Sequence, residues 1–380
     1  MQRLWFWLIL ISPWCRSVLC WTDLSSDIAV LDKLFTAGQD NQTRYDARVR
    51  PKGTNTSVPG THGPVVITVN VMLRSLSLDD RKMQCHLQLT YRQEWQDERL
   101  TYYSNDDTIV PTYVTLPHGH DSNRVWMPDT FFMNDIKGRT HDVYEKNELI
   151  RVYASGMVFH SVRLSLVLSC PLDLHRYPHD RQTVKLELSS YGQTTNNIEY
   201  AWKTSNAIQL RTGLSSTLIG YSLDNVNTTQ STICTASGCY SSAFMIMELR
   251  RQLGAPLLHM YTPSAMLVVI GWLALWLDAR AHTTAACLMA LGTLIATAAM
   301  ATAFNQQLHL PPVNYTKASD VWLGTCMLSE FIALQRTLLT DLPKQSQSPD
   351  RATWVMRLGR LVYPVVFVAF NIVYWLVYLM

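Results

Sequence analysis

The stretch CPLDLHRYPHDRQTVKLELSSYGQTTNNIEYAW, from Cys170 to Trp202, decides the fold. A proline follows the cysteine directly, and Arg176-Tyr177-Pro178 marks a tight turn whose backbone the proline ring sets. Then VKLELSSY, from Val184 to Tyr191, alternates apolar and polar residues, the period of a half-buried strand. A second strand-like run ends at Trp202. The stretch is a turn held between strands, not a helix. Runs of the same kind flank it: VVITVNVML (65–73), MQCHLQLTY (83–91), IRVYAS (150–155), MVFHSVRLSLVLS (157–169) and AFMIMELRR (243–251). The turn-rich stretches SLDD, PHGHDSN and DNVNTTQ alternate with them. Short strands at regular spacing predict an all-β sandwich or barrel. Ser26 can cap a short helix before the strands, with Ile28, Leu31, Leu34 and Phe35 on one face.

The 380 residues suffice for two ordinary domains, and a net charge of +3 makes no case for a nucleic-acid partner. Apolar residues concentrate in the last third. Gly254–Leu277, Ala285–Phe304, Asp320–Leu339 and Leu361–Met380 each approach the ~20 residues that cross a bilayer. The third of these is interrupted by Glu330, Gln335 and Arg336. The polar, basic segment at 340–360 reads as a short cytoplasmic loop. At the start, Arg3 precedes an apolar core from Leu4 to Trp14, which is short for a membrane span and reads as a secretory signal peptide over 1–20. The expected domains are therefore a signal peptide, an extracellular sandwich at 21–253, membrane helices at 254–339, the loop, and a last membrane helix at 361–380.

An extracellular domain can form disulfides. Cys234 and Cys239 lie close enough for a bridged hairpin, whereas Cys85 and Cys170 have no obvious partner. Asn41, Asn55 and Asn227 begin glycosylation sequons. Asn314 begins another, on a short loop between spans, and is expected to stay unused. There is no GxSxG, HExxH or phosphate loop. No catalytic residue, metal site or cofactor is expected.

Several phrases add to the opening stretch: YDARVRPKG (45–53), TYRQEWQDERL (90–100), RVWMPDTFFMND (124–135), MYTPSAMLVVIGWLALW (260–276), LPPVNYTKASDVWLGTCM (310–327) and YPVVFVAFNIVYW (363–375). Together they resemble pentameric Cys-loop ligand-gated channels, closest to invertebrate glutamate-gated chloride channel subunits. The resemblance covers nearly the whole chain. In that family a second cysteine closes the loop begun by Cys170; it falls at Val184, so that disulfide is lost here.

The resemblance implies a ligand site between two subunits. An amino-acid transmitter needs ring faces for its ammonium and arginine forks for its carboxylates. On the principal face these would be Phe131, Tyr191 and Tyr240, helped by Ser190 and Ser237; on the complementary face, Arg92 and Ser161. Arg74 resembles an arginine of the glutamate-gated branch, and glutamate has two carboxylates to hold. Alone, an arginine on a strand reads as a surface group and Tyr191 or Tyr240 as packing. Trp95, Trp126 and Trp202 read as core, and Pro128 and Asp129 as the turn that aims Phe131.

The same resemblance places the pore on the second span, where helical spacing sets Ala290, Leu294, Thr297 and Ala301 on one face. The family's anion-selecting Pro-Ala-Arg is replaced by Ala286-Cys287-Leu288, with Arg280 and His282 the nearest basic groups. The family's Thr and its Leu gate look exchanged, as Leu294 and Thr297. Glu330, costly inside a membrane, is expected to serve function or to pair with Arg336 or a neighbouring subunit. Gly324 matches a small residue that leaves room for macrocyclic lactones between subunits. The implied protein is a plasma-membrane, postsynaptic subunit of a homo- or hetero-pentamer, passing chloride in response to glutamate. The alternatives are a glycine- or γ-aminobutyrate-gated subunit, and a non-conducting or obligate heteromeric one.

Overall fold

A computed structural model describes residues 24–35, 45–53, 63–102, 111–116, 124–214, 218–277, 283–307, 310–339 and 349–379. The expected signal peptide, Asn41, Asn55, Arg280 and His282 lie outside the described residues. Helix α1 (Leu24–Phe35) starts just before Ser26 and lays Leu31, Leu34 and Phe35 on the edge of the core. Among the described residues twelve strands follow: β1 (Val65–Asp79), β2 (Gln84–Gln96), β3 (Tyr113–Leu116), β4 (Thr130–Phe132), β5 (Asp135–Thr140), β6 (Glu148–Tyr153), β7 (Met157–Ser169), β8 (Arg181–Ser190), β9 (Ile198–Trp202), β10 (Ile208–Leu210), β11 (Tyr221–Thr235) and β12 (Gly238–Arg251).

The strands form two open sheets. One has the order β10-β1-β2-β7-β6-β3, with β5 added to β7 and β9 to β1; the other is β11-β12-β8-β4. Strict alternation sends every second residue inward. Val65, Ile67, Val69 and Val71 of β1 meet Leu186 and Leu188 of β8 and Met245 and Met247 of β12 in one core. Val184 belongs to that core and is 0% exposed, opposite Met247. Trp95 and Trp126 are buried edge-to-face at 6.0 Å, and Trp202 packs on the core from its margin.

The stretch DNVNTTQ, read as turn-rich, is the middle of β11. It is polar because β11 is an edge strand largely exposed to water, and pairing with β12 along its whole length makes it a strand.

The membrane half comprises α2 (Gly254–Ala274), α3 (Thr283–Gln307), α4 (Ala318–Leu339) and α5 (Pro349–Leu379). Spans within α2, α3 and α5 are long and apolar enough to cross a membrane. α4, carrying Asp320, Glu330 and Arg336, packs with them. α5 starts at Pro349, so part of the expected loop at 340–360 is helical. In α2 a π-turn at Leu257–Tyr261 precedes Pro263, which lacks the N–H that a regular turn would use.

A second core joins the halves. Leu172, Leu174 and Tyr177, from the loop after Cys170, are buried against Tyr261 of α2, Phe304 of α3, Trp322 of α4 and Tyr374 of α5.

Candidate functional site

One candidate face is built on the β1–β2 hairpin and β7. Arg92 stands opposite Asn70 on one side and Ser161 on the other. Its Nη1 donates to Asn70 Oδ1 and Gln209 Oε1, both at 2.9 Å. Arg92, Ser161, Asn70, Gln209, Phe159 and Arg151 are among the residues lining an open cavity of about 430 Å³. Arg74 is outside that lining. It occupies the register shift between Leu73 and Ser75, where the extra residue re-aims its side chain. Its Nε donates to Thr90 Oγ1 at 2.8 Å. Burial, then the guanidiniums of Arg163, Arg92 and Arg211, lowers the Arg74 pKa below its ordinary value. Among the described residues neither Arg74 nor Arg92 pairs with a carboxylate; neutral oxygens orient both, and their charge stays available. Nearby Glu94 is engaged by Lys203 at 2.6 Å.

The second face lies on the other sheet. Phe131 of β4 and Tyr191 at the end of β8 meet edge-on, centroids 5.4 Å apart, and Tyr191 is 78% exposed. Asp129 clamps the turn below them: Ser190 Oγ donates to Oδ1 at 2.6 Å and the Gly192 N–H to Oδ2 at 2.7 Å. Ser190 thus holds the turn. In the β11–β12 hairpin the Ser237 and Tyr240 hydroxyls are 2.9 Å apart, and a disulfide joins Cys234 to Cys239. Arg74, Arg92 and Ser161 therefore gather on one sheet, and Phe131, Ser190, Tyr191, Ser237 and Tyr240 on the other. No contact joins the two groups among the described residues. Asn70, Thr90 and Gln209, the groups that orient the arginines, became identifiable only through the strand register.

Between the halves, Arg251 ends β12 and pairs with Asp80 of the β1–β2 turn at 2.6 Å and with Asp180 at 2.7 Å. The loop after Cys170 sits on the linker between α3 and α4: the Leu174 N–H donates to the Tyr315 hydroxyl at 3.0 Å, and His175 stacks on Tyr315 at 3.8 Å. The N–H groups of Ala318 and Ser319, opening α4, donate to the His175 and Tyr177 carbonyls at 3.0 Å each.

The α3 residues named above differ in burial. Ala290 and Thr297 are buried within the chain, and Leu294 and Ala301 half-buried. Thr297 donates to Glu330 Oε1 of α4 at 2.8 Å, so Glu330 is hydrogen-bonded to α3. Of that set, Ala290 and Thr297 turn inward within the chain, Thr297 toward α4. Residues on the opposite face are open: Leu288 at 64% and Ile295 at 59%, with Ala299 and Thr302 also exposed. α3 is apolar or small all round, so its composition does not distinguish its faces.

Known proteins match this chain over most of its length. A family model for the neurotransmitter-gated ion-channel ligand binding domain matches residues 31–253. A glutamate-gated chloride channel of Drosophila melanogaster is 37% identical over 320 residues, covering 84% of this chain and 66% of that protein. A glutamate-gated chloride channel subunit beta of Haemonchus contortus is 38% identical over 314 residues, covering 82% of this chain and 71% of the relative.

Proposed function

The chain belongs to the neurotransmitter-gated ion-channel family, and from that premise we propose that it is a subunit of a pentameric, glutamate-gated chloride channel of the plasma membrane, postsynaptic in its setting. The observation that carries the agonist is the pair of arginines without carboxylate partners, Arg74 and Arg92, on adjacent strands. Glutamate brings two carboxylates to that pair and an ammonium to ring faces. Phe131, Tyr191 and Tyr240 of a neighbouring subunit supply the rings, Ser237 and Ser161 add hydroxyls, and Ser190 holds the turn. Arg251 and the loop after Cys170 pass the closure to α2, α4 and the α3–α4 linker.

On this reading the pore is lined by Leu288, Ile295, Ala299 and Thr302, with Ile295 the apolar ring at the middle of α3. Asn227, exposed on β11, takes glycan as Asn41 and Asn55 do. Gly324 faces outward with open space where a side chain would stand, which suits a macrocyclic lactone between subunits in the bilayer. The exposed branched side chains of Leu288 and Ile295 favour a second reading, an obligate heteromeric subunit: two apolar rings make a pore that dewets readily. Voltage-clamp recording separates the two. A glutamate current reversing at the chloride potential from this chain alone supports a conducting homomer. Surface protein without current, restored by a second subunit, supports the heteromer. Responses to glycine or γ-aminobutyrate but not glutamate overturn the agonist.

A further inference from the structure

Cys85 and Cys170, remote in sequence, meet in the sandwich core. Cys85 lies opposite Leu168 where β2 pairs with β7. The ladder continues past the end of β7, because the Cys170 N–H donates to the Met83 carbonyl at 2.9 Å. Alternation then turns Cys85, Leu168 and Cys170 to one inward face, and all three are buried. The two cysteines are therefore diagonal neighbours on that face. Both are free thiols in the structure, as are Cys287 and Cys326 in the membrane helices. Val184 points into the core from β8, opposite Met247, and offers Cys170 no sulfur.

We propose that Cys85 and Cys170 form a disulfide in the mature protein, replacing the loop closure that Val184 cannot make. The compartment permits it, since Cys234 and Cys239 of the same extracellular domain are already bonded. The bond forms by exchange with an oxidised dithiol carrier of the secretory pathway. Cys170 is the more acidic partner, its pKa lowered beside Cys85. Its thiolate attacks the carrier disulfide and expels one carrier thiolate. Cys85, deprotonated, then attacks Cys170 Sγ and expels the other. Two electrons pass to the carrier, two protons leave the cysteines, and the carrier departs as a dithiol.

This bond changes what the loop is tied to. A link between Cys170 and position 184 would close the loop on itself. A link to Cys85 joins it to β2, the strand that also carries Arg92. The bond does not depend on which agonist opens the channel.

The test is a cysteine map of the full-length chain. Protein captured from the surface of expressing cells is denatured without reductant, alkylated with N-ethylmaleimide and digested. The expected result is a linked peptide pair containing Cys85 and Cys170 that separates on reduction, with neither residue alkylated. Recovery of both as alkylated peptides, or of Cys170 linked to any other cysteine, overturns the proposal. In Cys85→Ser, Cys170 should become fully alkylated; if it stays protected, its partner lies elsewhere and the proposal fails. If that variant does not reach the surface, the map of the unmodified chain decides.

Discussion

Arg251 grips Asp180 through two guanidinium nitrogens, Nε at 2.7 Å and Nη2 at 3.0 Å, while its third nitrogen reaches Asp80 at 2.6 Å. The ring faces of Tyr177 and Tyr221 enclose it at 4.7 and 4.6 Å. One planar cation thus joins the β1–β2 turn, the loop after Cys170 and the end of β12, a task that needs a fork and two stacking faces.

Replacing Arg251 with Gln leaves Asp180, whose side chain is 1% exposed, without its counter-ion. Removing one partner of a buried pair costs about 3–5 kcal/mol. Surface expression should fall sharply, as measured by biotinylation. Arg251→Lys should recover part of the expression and little of the agonist-evoked current, because a point charge cannot serve two carboxylates. Normal currents from Arg251→Gln would exclude this role.

At the arginine face, Arg92→Ala and Arg74→Ala should each raise the glutamate concentration for half-maximal current. A hydrogen bond to a charged group is worth about 1.5–3 kcal/mol, or roughly 10- to 100-fold. Arg74→Ala should leave any glycine response intact, since glycine has one carboxylate. Equal losses for both agonists would assign Arg74 to structure. Thr90→Val should give a smaller shift of the same sign, since Thr90 only aims Arg74.

In the pore, Ile295→Cys should react with a water-soluble thiol reagent applied to the open channel, and the reaction should alter the current. Thr297→Cys should stay inert, because Thr297 is 0% exposed and faces Glu330. The opposite pattern would restore Thr297 to the pore.

His179 supplies a pH dependence. Burial pushes its pKa below the ordinary histidine value, with Asp180 opposing, and its Nε2 lies 2.9 Å from the Tyr261 hydroxyl. The unfolded chain therefore takes the proton first as pH falls. The stability is complete above about 6.5 and declines below it. Thermal unfolding of the detergent-purified protein should show this acid loss, and His179→Gln should flatten it. An unchanged slope in that variant would clear His179 of the effect.

The strands most legible in the sequence were those with one wet and one buried face, such as β8, whose alternation survives unaided. β11 was read as turn because its polarity reflects an edge position, a tertiary fact. Arg92 and Ser161 could be named from their phrases, but the pairing that sets them opposite each other needed the register. The packing of α3 was hidden for a different reason: the helix is small and apolar on every side, so period 3.6 carries little information there, and the contact of Thr297 with Glu330 shows only in the structure. The placing of Cys85 beside Cys170 depends on the β2–β7 pairing, which no local pattern announces.

β12 runs unbroken from Gly238 to Arg251, and α2 begins at Gly254. At roughly 3.3 Å per residue the strand is about 45 Å long. Tyr240 stands near one end and the bilayer begins just past the other, with Gln252 and Leu253 as the intervening slack. A push on the hairpin tip would be delivered axially toward the first membrane helix, as through a rod, with the wide turn at Leu257–Tyr261 the next place past that slack where the path can bend.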